Sequence, residues 1–139
     1  MRVLLDTHVL LWLLVEPQRL PARLREALED PGHDIMFSAV NIWEVAIKQD
    51  LGKPGFDFSP DDVLQAARAA DLGELPVRAE HAARVGTLAR LHHDPFDRLL
   101  IAQALCEPAR FLTADRTLLN YPASVDFFDP IHQDPPHAL

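Results

Sequence analysis

The sequence predicts an α/β fold: a mainly parallel central sheet flanked by helices on both faces. Three observations carry this. Short apolar runs alternate along the chain with longer segments of helical periodicity, the pattern of strand–helix–strand units. The 139 residues suit one compact domain, and 48% apolar against 24% charged residues is an ordinary globular balance. No internal repeat, low-complexity tract or second domain interrupts the alternation.

The elements follow in order. Residues 2–5 (RVLL) read as a short buried strand, and Asp6-Thr7 can cap a helix over about 8–15 that Pro17 ends. Pro21 stands where a first helical turn begins, and that helix runs to about Glu29 before Pro31-Gly32. Residues 34–37 (DIMF) make a second strand, after which Ser38 caps a helix over about 39–50 closed by Gly52. Residues 53–58 are a loop, and Ser59-Pro60-Asp61-Asp62 opens a helix ending near Leu72. Residues 74–77 (ELPV) are a strand that Pro76 assigns to an edge. Helices are expected over about 79–91 and 96–106, with His92-His93-Asp94-Pro95 breaking the chain between them. A strand at 110–113 (RFLT), a short helix from Asp115 to Leu119 and a last strand at 125–128 (VDFF) complete the domain, expected to span 1–130. Residues 131–139, rich in Pro and His, read as a flexible tail.

Charge narrows the function. The formal net charge is −8, so bulk attraction to nucleic acid is excluded and any such role needs local basic groups or bound cations. Lys48 and Lys53 are the only lysines beside eleven arginines. Arginine suits bidentate phosphate contacts, although a compositional bias toward Arg explains the count equally. Cys106 is the only cysteine, so no internal disulfide can form; a small, buried helical residue fits a reducing compartment. The apolar run 9–15 is too short to span a membrane, and no small-residue cleavage site follows before Pro17. A cytoplasmic protein without a targeting segment is expected.

Ligands of open α/β sheets sit beyond the carboxyl ends of the strands. Asp6 directly follows the first strand and Asp115 follows the strand at 110–113. Asp97 lies in the first turn of a helix expected to start near that edge, and Glu44 lies in the helix after the second strand. Each has a plainer reading. Asp6 and Asp115 can be helix caps, Asp94-Pro95-Phe96-Asp97 looks like a capping box, and Glu44 can pair with Lys48 on a solvated face. Two carboxylates 5 Å apart repel by about 3 kcal/mol at an effective dielectric of about 20. Either the four acids do not converge, or the site holds cations. An all-oxygen acidic site selects Mg²⁺ or Mn²⁺ rather than zinc.

Four segments in order, Leu4-Leu5-Asp6-Thr7-His8, Ser38-Ala39-Val40-Asn41-Ile42-Trp43-Glu44, His93-Asp94-Pro95-Phe96-Asp97-Arg98 and Thr113-Ala114-Asp115, resemble the PIN-domain family, in particular VapC-type toxins of bacterial toxin–antitoxin pairs. The stretch 97–104 (DRLLIAQA) adds to the resemblance, which spans residue 2 to about 128. It implies a PIN-like single domain and a metal-dependent endoribonuclease that cleaves RNA with a metal-activated water and no covalent intermediate. It further implies Asp6, Glu44, Asp97 and Asp115 as catalytic metal ligands for Mg²⁺ or Mn²⁺, some acting through bound water. A small antitoxin that blocks the pocket, and a homodimer, are the partners implied.

Thr7 and Thr113 sit beside acids and either orient a ligand or serve as caps and core. His92 and His93 either meet phosphate or are simply exposed. Asp94 most simply caps its helix. Arg98, Arg116 and Lys48 fall near the expected pocket, where phosphate binding and plain surface charge are both open to them. Trp12 and Trp43 are expected in the core. Three other readings compete: a receiver-like regulatory domain, a PIN-like binding module without catalysis, and a metal phosphatase of small esters. The receiver reading needs an acidic pair after the first strand and a late lysine, and no lysine follows Lys53.

Overall fold

The computed structural model describes residues 1–90 and 94–131. Five strands form one sheet: β1 (Arg2–Leu5), β2 (Asp34–Ser38), β3 (Gly73–Leu75), β4 (Arg110–Thr113) and β5 (Val125–Phe127). Their order is β3-β2-β1-β4-β5, and every neighbouring pair is parallel. Val3 of β1 is level with Ile35 of β2 and Arg110 of β4, which centres the first strand of the chain. Six helices accompany the sheet: α1 (Thr7–Val15), α2 (Ala22–Glu29), α3 (Ala39–Asp50), α4 (Pro60–Ala69), α5 (Ala79–Val85) and α6 (Pro95–Cys106). The single α/β domain expected from the sequence is present.

Strand alternation explains the two-sided core. Val3 and Leu5 of β1, Ile35 and Phe37 of β2 and Leu112 of β4 pack on one side with Val9 and Leu10 of α1, Leu28 of α2 and Val63 of α4. Leu4, Met36 and Phe111 point the other way, into Phe96, Leu100 and Ile101 of α6. Strand order reverses between β1 and β4. A crevice therefore opens at their carboxyl ends, where Asp6 and Asp115 stand.

The edge strand placed by Pro76 is β3, ending at Leu75. Residues 115–119 form a 3-10 turn over Arg116–Asn120 rather than an α-helix. Trp43 is not in the core: half of it is exposed. α4 stops at Ala69, with Asp71 in the left-handed region at φ 59°. α5 is shorter than the expected helix over 79–91. After Val85 the chain makes only three-residue turns, from Gly86 to Ala83, Thr87 to Arg84 and Leu88 to Val85. The guanidinium of Arg98 donates to the carbonyls of Ala89 at 2.8 Å and Val85 at 3.2 Å. Arg98 is thus engaged at the end of α5 and does not line the acidic cavity. The flexible-tail reading and the His92-His93 breaker lie outside the described residues, apart from Ile131.

Replacing Arg98 by Met leaves these carbonyls without a charged donor, and hydrogen bonds to charged groups contribute about 1.5–3 kcal/mol. The variant should lose about 2 kcal/mol in denaturant unfolding; unchanged stability would show that the guanidinium does not hold this turn.

Candidate functional site

The crevice beyond β1 and β4 is a cavity of about 410 Å³ lined by Asp6, His8, Trp12, Glu44, Lys48, Asp94, Asp97, Ala114 and Asp115. All four acids singled out in the sequence reach it. Asp6, Glu44 and Asp97, each buried, present carboxylate oxygens within 4.8 Å of one another. Asp115 lines the same cavity outside that trio.

Backbone and hydroxyl donors fix each acid. The amide of Asp6 bonds the carbonyl of Leu112, which locks the end of β1 to β4. Its Oδ1 accepts from the Thr7 amide at 2.8 Å and its Oδ2 from the Thr113 hydroxyl at 2.6 Å. Ser38 caps α3 through the Val40 amide, and Asn41 returns the bond to the Ser38 amide at 2.7 Å. That reciprocal box aims the Asn41 amide group at the Leu5 carbonyl, 3.1 Å, and at the Thr7 hydroxyl, 3.0 Å. The Thr7 hydroxyl then donates to Glu44 Oε1 at 2.5 Å. One turn after Glu44, Lys48 donates to Glu44 Oε2 at 2.5 Å and to Asp94 Oδ2 at 3.0 Å.

The capping alternatives are partly right. Asp94, not Asp97, caps α6, accepting from the Phe96 amide at 2.9 Å. Asp97 is left on the inner face of the first turn. Asp115 caps the 3-10 turn, its Oδ1 accepting from the Thr117 amide at 3.0 Å, and it also borders the cavity. Arg116 is exposed, over the Phe127 ring and beside Asp129. His92 and His93 lie outside the described residues. Thr7, Thr113 and Lys48, whose roles the sequence left open, all bond the acids, and Asn41, one helical turn before Glu44, supports them through Thr7.

Burial pushes the Asp6 carboxyl up to about 7; the Thr113 hydrogen bond opposes this and the charge of Glu44 adds to it. Burial, then the charges of Asp6, Asp94 and Glu44, push Asp97 up to about 9, against the pull of Lys48. Burial pushes the Lys48 ammonium down, but the hydrogen bonds and charges of Glu44 and Asp94 outweigh it and hold it above its ordinary value. The cluster thus opposes its own charge, as a pocket built for a cation does. Its donors are all carboxylate oxygens, which fits a hard divalent ion.

A second grouping, Glu80, His81 and Glu107, also brings ligand atoms together. His81 is fully buried there: Nδ1 accepts from the Arg78 amide at 3.0 Å, and Nε2 faces Glu107 at 2.9 Å. Both ring nitrogens are engaged, and Arg2 and Arg78 lie 3.6 and 3.7 Å from the Glu107 carboxylate. This cluster fastens α5 to α6 rather than awaiting an ion.

The chain is a doubly covered parallel sheet with a carboxylate crevice at its switch point, and residues 3–123 match the family profile of the PIN domain. The chain belongs to the PIN-domain family. Within it, the chain is 31% identical over 121 residues to ribonuclease VapC22 of Mycobacterium tuberculosis, covering 86% of this chain and 91% of that protein. Among solved structures it resembles VapBC2 from Rickettsia felis, bound to a DNA fragment from its promoter. There 16% identity spans 93% of this chain and 100% of the other, with TM-score 0.69. It also resembles VapBC-5 of Mycobacterium tuberculosis, a member of a family of toxin–antitoxin systems, at 24% identity over 92% and 98% of the chains with TM-score 0.54. Family membership sets aside the receiver reading.

In chelator the folded protein holds protons on Asp6 and Asp97 that the unfolded chain releases above about pH 4. Folded-state values raised above the ordinary 3.8 mean that these groups cost stability progressively as pH rises toward 9. Asp97→Asn should therefore be more stable than the wild type at pH 8 in EDTA, with the gain shrinking toward zero near pH 4. Thermal unfolding across pH measures it, and a gain that grew on acidification would contradict the assignment.

Proposed function

We propose that this protein is a Mg²⁺- or Mn²⁺-dependent endoribonuclease, the toxin of a toxin–antitoxin pair, with Asp6, Glu44, Asp97 and Asp115 as its catalytic carboxylates. One observation carries the reading: three buried carboxylates from three distant segments converge within 4.8 Å of one another. Asp115 completes the ring, directly or through water. Similarity to a ribonuclease over most of both chains supports the substrate class.

When bound, a divalent ion activates water and neutralises charge developing on a phosphodiester. The chain's own residues prepare for it. The Thr113 hydroxyl and Thr7 amide leave the lone pairs of Asp6 facing the cavity along one direction. Asn41, through Thr7, holds Glu44 in its rotamer. The α6 cap by Asp94 keeps Asp97 aimed inward. His8 and Trp12 border the same cavity and offer rings beside which an RNA base can lie.

A small antitoxin partner is supported by the toxin–antitoxin assemblies that the chain resembles. It is supported too by surface chemistry. Trp43, Ile47 and Leu51, spaced by four, stand 50%, 40% and 65% exposed beside an apolar groove between α3 and α4 that includes Ile42 and Leu64. Homodimerisation would use similar surface. No described helix is long and apolar enough to cross a membrane, which agrees with work in the cytoplasm.

Asp97→Asn and Asp6→Asn should each cut RNA cleavage by about a thousandfold, equivalent to about 4 kcal/mol of lost transition-state stabilisation, with the fold retained by circular dichroism. EDTA should abolish wild-type cleavage, and Mg²⁺ or Mn²⁺ should restore it. Cleavage that persists in EDTA, or in both variants, would refute the site. Expression without the neighbouring reading frame should arrest growth and degrade RNA, and co-expression should relieve both; growth unaffected in either case would leave a nuclease but not a toxin.

A further inference from the structure

Among the described residues lining the acidic cavity, Lys48 is the only lysine or arginine. Its side chain is 21% exposed, and its ammonium is bound on two sides, by Glu44 Oε2 at 2.5 Å and Asp94 Oδ2 at 3.0 Å. The Phe56 and Phe96 rings lie 5.2 and 5.6 Å from the nitrogen, so the charge sits on a low-dielectric floor rather than in open water. An ordinary exposed Glu–Lys pair one turn apart is loosely held. This one differs: it has a buried carboxylate on one side and, on the other, the acid that caps α6.

Each carboxylate oxygen on this side of the pocket already accepts one hydrogen bond, and Lys48 supplies two of them. Glu44 spends Oε1 on the Thr7 hydroxyl and Oε2 on Lys48. Asp94 spends Oδ1 on the Phe96 amide and Oδ2 on Lys48. Asp6 and Asp97 face the remainder of the cavity, with Asp115 across it. Nucleases that use two divalent ions hold them about 3.5–4 Å apart between shared carboxylates. Here a second ion shared by Glu44 would have to enter beside a fixed ammonium.

Building on the nuclease reading above, we propose that Lys48 is the built-in second cation of this site, so that the pocket takes one divalent ion and not two. The ammonium neutralises the Glu44–Asp94 side permanently, and the exchangeable ion serves the trio Asp6, Glu44 and Asp97. Lys48 is then a positioning residue. It ties the helix bearing Glu44 to the cap of the helix bearing Asp97, and it sets the number of ions through charge and space.

The test counts ions. Mn²⁺ titrated into the chelator-stripped wild-type protein, followed by calorimetry and by electron paramagnetic resonance of free Mn²⁺, should give one ion per chain. Lys48→Met removes the charge at similar length and should raise the count from one to two. Lys48→Arg keeps the charge and should stay at one. A wild-type count of two, or an unchanged count of one in a folded Lys48→Met protein, would overturn the proposal. If Lys48→Met does not fold, the wild-type count and a folded Lys48→Gln variant decide in the same way. A folded wild-type protein that binds no Mn²⁺ would instead remove the metal-nuclease reading itself, and this assignment with it.

Discussion

Like charges brought together out of water are the constraint around which this molecule is arranged. Asp6, Glu44 and Asp97 sit at 8%, 3% and 7% exposure with oxygens within 4.8 Å of one another. Left alone, such a group would protonate or push apart. It is held by a chain of neutral donors that begins in the backbone: the Ser38–Asn41 box at the start of α3 orients Asn41, Asn41 orients Thr7, and Thr7 donates to Glu44. Thr113 does the same for Asp6 from the neighbouring strand. Every donor comes from an element end, so the sheet's strand order and the charge cluster are two views of one requirement.

The acids could be found from the sequence because they follow elements whose signals are local. Asp6 follows an apolar run, Asp94-Pro95 opens a helix, and Asp115 follows RFLT. Parallel topology then places strand ends together without any knowledge of side-chain contacts. What could not be read depended on partners far away in the chain. The Arg98 contact to the carbonyls after Val85 ended α5 six residues earlier than periodicity suggested. Trp43 sits on a strongly apolar helix, and only the packing of its neighbours decides that it faces outward. Asp115 looked like either a cap or a ligand, and the structure shows a cap that also borders the pocket. Lys48 read as a solvated partner of Glu44. The pairing is real, but it is buried on one side and bridges to Asp94 across 46 residues.

The surplus of arginine does not translate into a basic face. Arg110 is clamped to Asp126 by two bonds at 2.5 and 2.6 Å, Arg68 is paired with Glu74, Arg98 holds backbone carbonyls, and Arg2 reaches Glu107 and Asp34. With a net charge of −8, attraction to a polyanion falls, on the proposed function, to Lys48 and a divalent ion in the crevice. Recognition on that basis is local: it rewards a phosphate presented at one point and gives little affinity for a long duplex.

The Thr113–Asp6 hydrogen bond spans 107 residues of sequence, and β4 lies directly beside β1. The pocket therefore does not exist on a growing polypeptide until the ribosome has released the segment carrying β4. Up to that point Asp6 has no hydroxyl opposite it and the first strand has an open edge. Completion of the crevice consequently waits for β4, and a translation product interrupted before that strand would carry most of the acids without forming the centre they make together.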